Sequence, residues 1–484
     1  MTQALRTSPD ELSAGLHAIV GARGLLTNPS DTAPYCTDWR GLYHGRTAAV
    51  IRPGTTAELA DVIRLCAALG VSMVPQGGNT SMVGGAAPSE DGRQVVLSLN
   101  RMTRVRHLDP LDMTLTVEAG VPWRTAQDAA AAAGCLLPLS ISSEGTAQVG
   151  GILSANAGGN TTVRYGNARD LVLGLEVVLP DGQVWNGLRS LRKDNTGYCL
   201  RHLFVGAEGT LGIITAAVLK LAPALRDTAT ALCALPTADA ASTLYRQFQA
   251  ADPAAVQAFE YMSSAGLELV LHHIPGTTRP LPAAPHYALI ELGTPRPGMT
   301  NAAGGMRTLL EAVLEPALED GTVTDAVLAD SDGQRLALWR LREEHAEAQK
   351  RAGASIKNDV SVAPSRVPAL IAEATAACEA LMPGIRAMPF GHAGDGNIHF
   401  NLLQPESMTS EAFLARASDV MGCVNSVVHR LDGSFSAEHG VGRLKPYLME
   451  EWRGGAELDM MRRIKGALDP KGLMNPQALF PGHR

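Results

Sequence analysis

The order of apolar and polar positions divides the chain into short strands and amphipathic helices. Residues 49–53 and 71–75 are mostly apolar runs of strand length. Between them, residues 56–66 place apolar side chains at helical spacing behind a threonine that suits a helix start. A strand, a helix and another strand in this order predict a sheet with helices on its faces.

The middle of the chain also mixes strands and helices. Residues 229–235 and 287–292 predict strands, and a Pro180-Asp181-Gly182 turn predicts a hairpin near residues 173–184. Helices are predicted near residues 9–25, 239–250, 306–318, 333–351, 368–381 and 464–468. Strands that share one sheet with such helices predict an α+β domain.

Length and composition bound the number of domains and the class of function. The 484 residues predict two or three domains, which we place at residues 1–222, 223–430 and 431–484. An apolar share of 45% with 18% charged residues is typical of a soluble globular enzyme. Because only 4% of residues are aromatic and the net charge is −7, a nucleic-acid partner is not expected.

Cysteine usage and hydropathy predict the compartment. The seven cysteines are scattered and never form a C-x-x-C pair, which predicts reduced and mostly buried thiols. No apolar run approaches the roughly 18 residues that span a bilayer. The first residues lack the layout of a signal peptide. We therefore expect a cytoplasmic protein with no transmembrane segment, at most peripheral to a membrane.

Three glycine-rich clusters stand in the first half, at residues 75–86, 143–160 and 204–215. Adjacent glycines let successive backbone N–H groups point at one anion such as a pyrophosphate, and small residues let a flat ligand lie on the main chain. The first cluster is neither a G-x-G-x-x-G nor a Walker sequence. Taken alone it is also compatible with a flexible surface loop, whereas the three clusters together favour a large bound cofactor.

Two histidines flank a glycine-rich turn in residues 389–401. His392 and His399 are seven apart, so they would face opposite sides of one continuous strand. The Gly394-Asp395-Gly396 turn removes that restriction and lets both imidazoles converge, with Asp395 expected to hold a ring N–H. The ordinary alternative is a hairpin with one buried and one exposed imidazole. With Glu438, two histidines suit Zn²⁺ above all, or Mn²⁺ or Fe²⁺.

The three clusters, together with residues 193–198, resemble the FAD-binding half of the vanillyl-alcohol-oxidase family, and most of all its D-2-hydroxyacid dehydrogenase branch. The resemblance covers about residues 40–222 and resumes near the C-terminus. It implies an α+β fold: a two-subdomain PCMH-type FAD-binding domain, an α+β cap domain with an antiparallel sheet for the substrate, and a C-terminal helical segment that returns to the flavin domain. Since Asn79-Thr80-Ser81 stands where some relatives carry a flavin-linked His or Cys, non-covalent FAD is expected.

The resemblance also implies roles for individual residues. Glu438 joins the two histidines as a metal ligand, and His439 is the catalytic base, since an imidazole with an ordinary pKa accepts a proton near neutral pH. Arg342, Lys357 and Asn401 bind substrate, although Ala346 stands where hydroxyglutarate enzymes carry a hydroxyl. The residues implied to contact FAD are Pro75, Gln76, Gly77, Gly78, Asn79, Thr80, Ser81, Pro138, Gly145, Thr146, Gly150, Gly151, Asn156, Gly158, Glu208, Gly212, Ile213 and Asn475.

The activity implied is the metal-assisted oxidation of a D-2-hydroxy acid, such as D-2-hydroxyglutarate or D-lactate, to the 2-oxo acid. Its histidine base takes the hydroxyl proton while hydride passes to N5 of FAD. Such an enzyme needs an electron acceptor, for example a quinone, an electron-transfer flavoprotein or a cytochrome, and the sequence is compatible with a homodimer. Two alternatives stay open, a metal-dependent hydrolase and a non-catalytic flavin or metal carrier within a larger complex.

Overall fold

The computed structural model describes residues 9–296 and 305–480. The strands are β1 Leu25–Leu26, β2 Val50–Ile51, β3 Met73–Gln76, β4 Val95–Ser98, β5 Val105–Asp109, β6 Thr114–Glu118, β7 Cys135–Leu136, β8 Val172–Val178, β9 Val184–Gly187, β10 Ile213–Lys220, β11 Ala222–Pro223, β12 Asp227–Leu235, β13 Val256–Ser263, β14 His286–Thr294, β15 Asp325–Leu328, β16 Ser355–Ile356, β17 Asp359–Ser361, β18 Arg386–His392 and β19 Asn397–Leu403.

The helices are α1 Pro9–Gly24, α2 Pro29–Thr32, α3 Thr56–Leu69, α4 Trp123–Ala132, α5 Val149–Ala155, α6 Thr162–Tyr165, α7 Ala168–Leu171, α8 Arg201–Phe204, α9 Ala238–Ala251, α10 Ser264–His273, α11 Met306–Glu319, α12 Asp332–Glu343, α13 His345–Ala352, α14 Val367–Leu381, α15 Ser410–Leu414, α16 Ala417–Arg430, α17 Pro446–Arg453 and α18 Ala456–Leu468, with 3₁₀ turns at Ala33–Tyr35 and Pro364–Arg366. Within the described residues, none of these helices combines the length and the apolarity needed to cross a bilayer.

The chain packs into two compact units. Among the described residues, the first comprises 9–157, 167–223 and 439–480. It contains a four-stranded sheet in the order β1-β2-β4-β3, with β2, β4 and β3 parallel, and an antiparallel five-stranded sheet in the order β5-β6-β10-β8-β9. The predicted hairpin over residues 173–184 is β8 and β9, paired from Val178–Val184 to Leu175–Gly187.

Helix α3 shows how local sequence builds the first unit. The Thr55 side chain accepts the N–H of Glu58 at 3.1 Å and so caps the helix, which ends at Gly70 with φ 70°. Its apolar positions, from Leu59 to Cys66, are buried as their helical spacing predicted. Strands β2 and β3, which precede and follow α3, both pair in parallel with β4, which confirms the predicted order of strand, helix and strand.

The C-terminal segment belongs to the first unit. Met474 forms a parallel bridge with Met73, next to β3. The half-buried ammonium of Lys465, on α18, donates to the carbonyls of Thr210 at 2.7 Å and Met474 at 2.8 Å. These bonds tie residues far apart in the chain into one structure around the third glycine cluster.

Among the described residues, the second unit comprises 158–166, 224–296 and 305–438. Its antiparallel sheet runs β15-β12-β14-β13-β18-β19-β16, and β17 also pairs with β19. Helices α9, α11, α14 and α16 pack an apolar core on one face, and α10, α12 and α13 pack a smaller core on the other. This is the predicted antiparallel α+β architecture.

The helix predicted over residues 333–351 is two helices, α12 and α13, which meet at Glu344. The single-helix prediction was wrong because the buried positions Leu338, Leu341, Arg342, His345 and Ala348 keep one helical spacing across the break. The spacing of apolar residues shows which side of a helix is buried. Because the same side stays buried on both helices, the spacing gives no sign of the break at Glu344.

Candidate active site

One face of the second unit's sheet gathers the polar residues predicted to act together. In the β18–β19 hairpin, Phe390 pairs with His399 and His392 with Asn397. Directly paired residues share a face, and so do residues two apart on one strand. His392 and His399 therefore project from the same face, with ring centroids 5.6 Å apart. The glycine turn has the predicted effect of bringing the two imidazoles together.

The carboxylates of Glu438 and Asp359 lie near the two histidines and complete a set of metal-ligating groups. Glu438 places one carboxylate oxygen 3.5 Å from Nε2 of His399 and the other 3.9 Å from Nε2 of His392. Asp359, on β17, pairs directly with His399 on β19. Asp359, His399 and Glu438 each offer one ligand atom, and these atoms lie within 4.8 Å of one another. Two histidines with carboxylates fit Zn²⁺, Mn²⁺ or Fe²⁺.

Glu260 is a buried partner of this face that the sequence did not reveal. Its carboxylate lies 2.6 Å from Nδ1 of His392 and accepts the Nε–H of Arg342 at 2.7 Å, with no exposed side-chain surface. Asp395 was expected to hold a histidine N–H, but it instead accepts the backbone N–H of Asn397 in its own turn. A carboxylate at Nδ1 leaves Nε2 of His392 directed at Glu438, as a metal-binding imidazole requires.

The charges of this cluster shift one another's proton affinities. Burial alone would raise the pKa of Glu260, but Arg342 and His392 outweigh burial and lower the pKa to about 2. Burial alone would lower the pKa of His392, but the Glu260 carboxylate raises the pKa to about 9. Burial raises the pKa of Asp395 to about 6. Glu260 is therefore a permanent negative charge at neutral pH.

Replacing Glu260 tests how much its charge contributes to the stability of the protein. In Glu260→Gln the buried guanidinium of Arg342 loses its ionic partner, and breaking a buried pair typically costs about 3–5 kcal/mol. We expect a loss of that size in the free energy of unfolding, measured by denaturant titration. As a matched control, Glu373→Gln breaks the exposed pair with Arg430 and should cost less than about 1 kcal/mol. Equal stability of the two variants would contradict the assigned role of Glu260.

The predicted substrate residues lie on or near the same face. The guanidinium of Arg342 is buried and stacks over the ring of Phe390, 4.9 Å from its centroid. Asn401 is two residues beyond His399 and donates to the side chain of Gln349 at 2.8 Å. Lys357 is half-buried, and its charge acts on Glu347 of α13. The direct partner of Arg342 in the structure is therefore Glu260, a contact that fixes the position of its guanidinium.

The first unit contains a pocket with an empty volume of about 700 Å³, which includes open solvent at its mouth. Ten predicted site residues line it: Pro75, Gln76, Gly77, Ser81, Gly150, Gly151, Glu208, Gly212, Ile213 and His439. Other lining residues are Val83, Gly85, Leu97, Ala119, Gln148 and Ser154. All three glycine clusters thus contribute to one concave surface.

Two glycines show that this pocket is built by close backbone approach. A Cβ at Gly78 would lie 2.0 Å from the carbonyl oxygen of Thr146, and one at Gly150 would lie 2.8 Å from Cβ of Ala119. A side chain at position 78 would push the first two clusters apart, and a side chain at position 150 would push the second cluster away from Ala119. The clusters can therefore pack against each other and leave room for a large flat ligand, which fits FAD.

Within the described part of the chain, the other residues predicted to contact FAD do not line this pocket. They are Gly78, Asn79, Thr80, Pro138, Gly145, Thr146, Asn156, Gly158 and Asn475. Asn156 caps α5 with φ 50° and accepts the N–H of Arg169. Gly158 lies in the second unit, where an added Cβ would meet Glu438 at 3.2 Å. Asn475, predicted to contact the flavin ring, donates its side-chain N–H groups to the carbonyls of Gly85 and Glu208.

Family models match both halves of the chain. The model described as "FAD binding domain" matches residues 47–187, and the model described as "FAD linked oxidases, C-terminal domain" matches residues 224–479. A D-2-hydroxyglutarate dehydrogenase of Xanthomonas citri pv. viticola is 37% identical over 99% of this chain and 98% of its own length. The mitochondrial D-2-hydroxyglutarate dehydrogenase of Bos taurus is 36% identical over 98% of this chain and 84% of its own length.

Solved structures share the fold at low sequence identity. p-Cresol methylhydroxylase superposes with a TM-score of 0.74 at 16% identity, over 97% of this chain and 96% of its own. Alkyldihydroxyacetonephosphate synthase superposes with a TM-score of 0.73 at 17% identity, over 98% and 87%. The predicted fold class, α+β with a PCMH-type FAD-binding domain, is confirmed.

Proposed function

Because the chain belongs to the family of FAD-linked oxidases, an oxidoreductase family, we propose that it oxidises a D-2-hydroxy acid to the corresponding 2-oxo acid, with D-2-hydroxyglutarate as the substrate. The named activity of its full-length relatives supports this choice of acid. The observation that carries the reaction type is the convergence of His392, His399 and Glu438 on one sheet face that also fixes Arg342. Family membership leaves the hydrolase alternative without support.

We assign the cofactor to the glycine-lined pocket of the first unit, bound without a covalent link. Residues 76–81 would hold the pyrophosphate through backbone N–H groups, because adjacent glycines and hydroxyls favour an anion. Gly150, Gly151 and the third cluster, up to Ile213, would lie along the flat rings. Two predicted FAD residues that do not line the pocket support it indirectly. Asn156 and Asn475 hold the loops that form the pocket in place through their hydrogen bonds.

The reaction divides between residues that hold the substrate and one that moves a proton. FAD, when bound, would supply a two-electron acceptor, and His392, His399 and Glu438 would hold a divalent ion whose charge would make the substrate hydroxyl more acidic. An imidazole nitrogen of His439 takes the hydroxyl proton. Arg342 and Lys357 attract carboxylate, and Asn401 orients it. Two electrons and two protons thus leave the alcohol.

Asp359 is a further ligand candidate that the sequence did not single out. Its two carboxylate oxygens accept the N–H groups of Asn397 at 2.9 Å and Glu438 at 3.0 Å. These bonds tie Glu438 to β17 and β19. We propose that Asp359 either joins the metal ligands or holds Glu438 in position, which the metal content of Asp359 variants would distinguish.

Anaerobic flavin bleaching tests the proposal. We expect D-2-hydroxyglutarate to abolish the absorbance of the purified FAD-loaded protein near 450 nm, whereas its L-enantiomer leaves that absorbance unchanged. D-Lactate and D-malate measure the contribution of the second carboxylate. Prior treatment with a chelator should slow bleaching at least about 100-fold, because metal charge stabilisation is worth several kcal/mol. An FAD-loaded protein that no 2-hydroxy acid bleaches would favour the carrier alternative.

A further inference from the structure

Glu208 adopts a backbone conformation that an L-residue rarely takes. Its φ is 50°, and it stands between Gly206 at 81° and Gly209 at 70°. A non-glycine residue in this region costs of the order of 1–3 kcal/mol and persists only where its surroundings hold it. Glycine would relieve the backbone at position 208, so the structure retains a side chain there at a cost.

The Glu208 side chain binds the segment that follows His439. Its two carboxylate oxygens accept the backbone N–H groups of Val441 at 2.7 Å and Gly442 at 2.8 Å. Two charge-assisted hydrogen bonds from consecutive N–H groups fix both the distance and the direction of that segment. His439 is only two residues before the first of these N–H groups.

The main chain of Glu208 is fixed from two further directions. Its N–H donates to the carbonyl of Ser154 on α5 at 2.9 Å, and its carbonyl accepts the side-chain N–H of Asn475 at 2.8 Å. Glu208 therefore joins a helix of the second glycine cluster, the C-terminal segment and the His439 segment. A residue whose main chain is fixed at two points is a rigid support for the third segment.

The backbone of residues 439–442, the His439 segment, leaves space for the Glu208 carboxylate. Gly440 has φ 82°, and a Cβ there would lie 2.6 Å from one carboxylate oxygen of Glu208. Gly442 has φ 51°, and a Cβ there would lie 2.4 Å from the carbonyl oxygen of Val83. Side chains at either position would displace the segment from Glu208, so the sequence Gly440-Val441-Gly442 matches the position of the carboxylate.

Glu208 and His439 also line the same pocket of the first unit. Burial raises the pKa of Glu208 to about 7, although the N–H groups of Val441 and Gly442 and the charge of Lys445 oppose burial. Lys445 is the titratable group whose charge acts on Glu208 from the segment packed on it. The Glu208 carboxylate therefore changes its charge near neutral pH.

We propose that Glu208 is a positioning residue for catalysis, which holds His439 at the cofactor pocket by fixing the backbone of the two residues that follow Gly440. The role rests on the proposed function, because it supposes that His439 is the base. Glu208 itself need not touch the substrate. Displacement of a base by about 1 Å can lower the rate about 100-fold. This loss of rate gives a physical reason for keeping a strained side chain at position 208.

The test compares Glu208→Gln with Glu176→Gln in FAD-loaded protein. Gln keeps the size of Glu208 but turns an N–H donor toward one of the two backbone N–H groups, whereas Glu176 is a buried carboxylate outside the pocket, bound to Arg106 and Thr215. We expect anaerobic flavin reduction by D-2-hydroxyglutarate to slow by about 10- to 100-fold in Glu208→Gln. The FAD content per protein and the substrate concentration for half-maximal rate should stay near those of Glu176→Gln.

The pH profile separates positioning from a general loss of structure. The Glu208 carboxylate accepts both N–H groups most strongly when it is ionised, so its protonation near pH 7 should slow flavin reduction on the acid side in the wild type. In Glu208→Gln this contribution is absent, so the slope of log rate against pH should be less steep on the acid side. Gly440→Ala, which keeps the carboxylate but pushes the segment off it, should lose rate to the same extent.

Each outcome decides between the roles. Wild-type rate and slope in both Glu208→Gln and Gly440→Ala would overturn the positioning role while leaving the proposed function intact. A rate that falls only in proportion to lost FAD would overturn it in favour of cofactor retention. If no D-2-hydroxy acid bleaches the wild type itself, the proposed function fails, and the positioning role fails with it.

Discussion

His439→Ala is expected to give yellow, FAD-loaded protein whose flavin is reduced by D-2-hydroxyglutarate about 10³-fold more slowly than in the wild type. A positioned general base contributes typically about 10²- to 10⁴-fold, and alanine leaves no group at that position to take the hydroxyl proton. Stopped-flow absorbance near 450 nm under nitrogen measures the rate. The absorbance before mixing reports whether FAD is still bound.

The matched control for this variant is His202→Ala, which removes an exposed histidine from the same unit. It should keep the wild-type rate of flavin reduction. Full anaerobic bleaching of His439→Ala at the wild-type rate would remove the base assignment. Loss of FAD from His439→Ala would instead indicate that the imidazole supports the pocket that it lines.

Glu438→Gln is expected to lose both the bound metal and most of the activity. The Glu438 carboxylate lies within 4 Å of Nε2 of both His392 and His399, and a neutral amide is a much weaker ligand for a divalent cation. We expect less than about one tenth of the wild-type metal per protein and a rate of flavin reduction lower by about 10²- to 10³-fold. Elemental mass spectrometry of FAD-loaded protein gives the metal content independently of activity.

Glu319→Gln, an exposed change in the same unit, is the control for this experiment. It should keep the wild-type metal content and rate. A Glu438→Gln protein that retained full metal would show that Asp359 and His399, with His392, suffice as ligands. Full activity without metal would contradict the metal-assisted reaction altogether.

Much of the local structure follows from the sequence. Helix α3 was predicted from its capping threonine and its apolar spacing, and the hairpin β8–β9 from its Pro180-Asp181-Gly182 turn. The convergence of His392 and His399 also followed, because strand pairing and the turn are local properties. The three glycine clusters predicted a cofactor surface, and each contributes lining residues to the pocket.

Residues whose roles come from distant pairing escaped prediction. Glu260 reaches His392 only because β13 lies beside β18, a pairing of strands more than a hundred residues apart. Asp359 meets His399 through the register of β17 on β19. No local pattern marks either carboxylate, since an acidic residue inside a strand resembles any solvent-facing position until its neighbour is known.

The sequence by itself thus determined the elements, the glycine-lined surface and the histidine pair, because spacing along the chain controls each of them. The tertiary structure alone decided which charges meet. It paired Glu260 with both His392 and Arg342, replaced Asp395 in that task, and brought Glu208 to the segment after His439. Such contacts depend on strand register and on backbone approach between segments at least 82 residues apart, and these are properties of the folded chain.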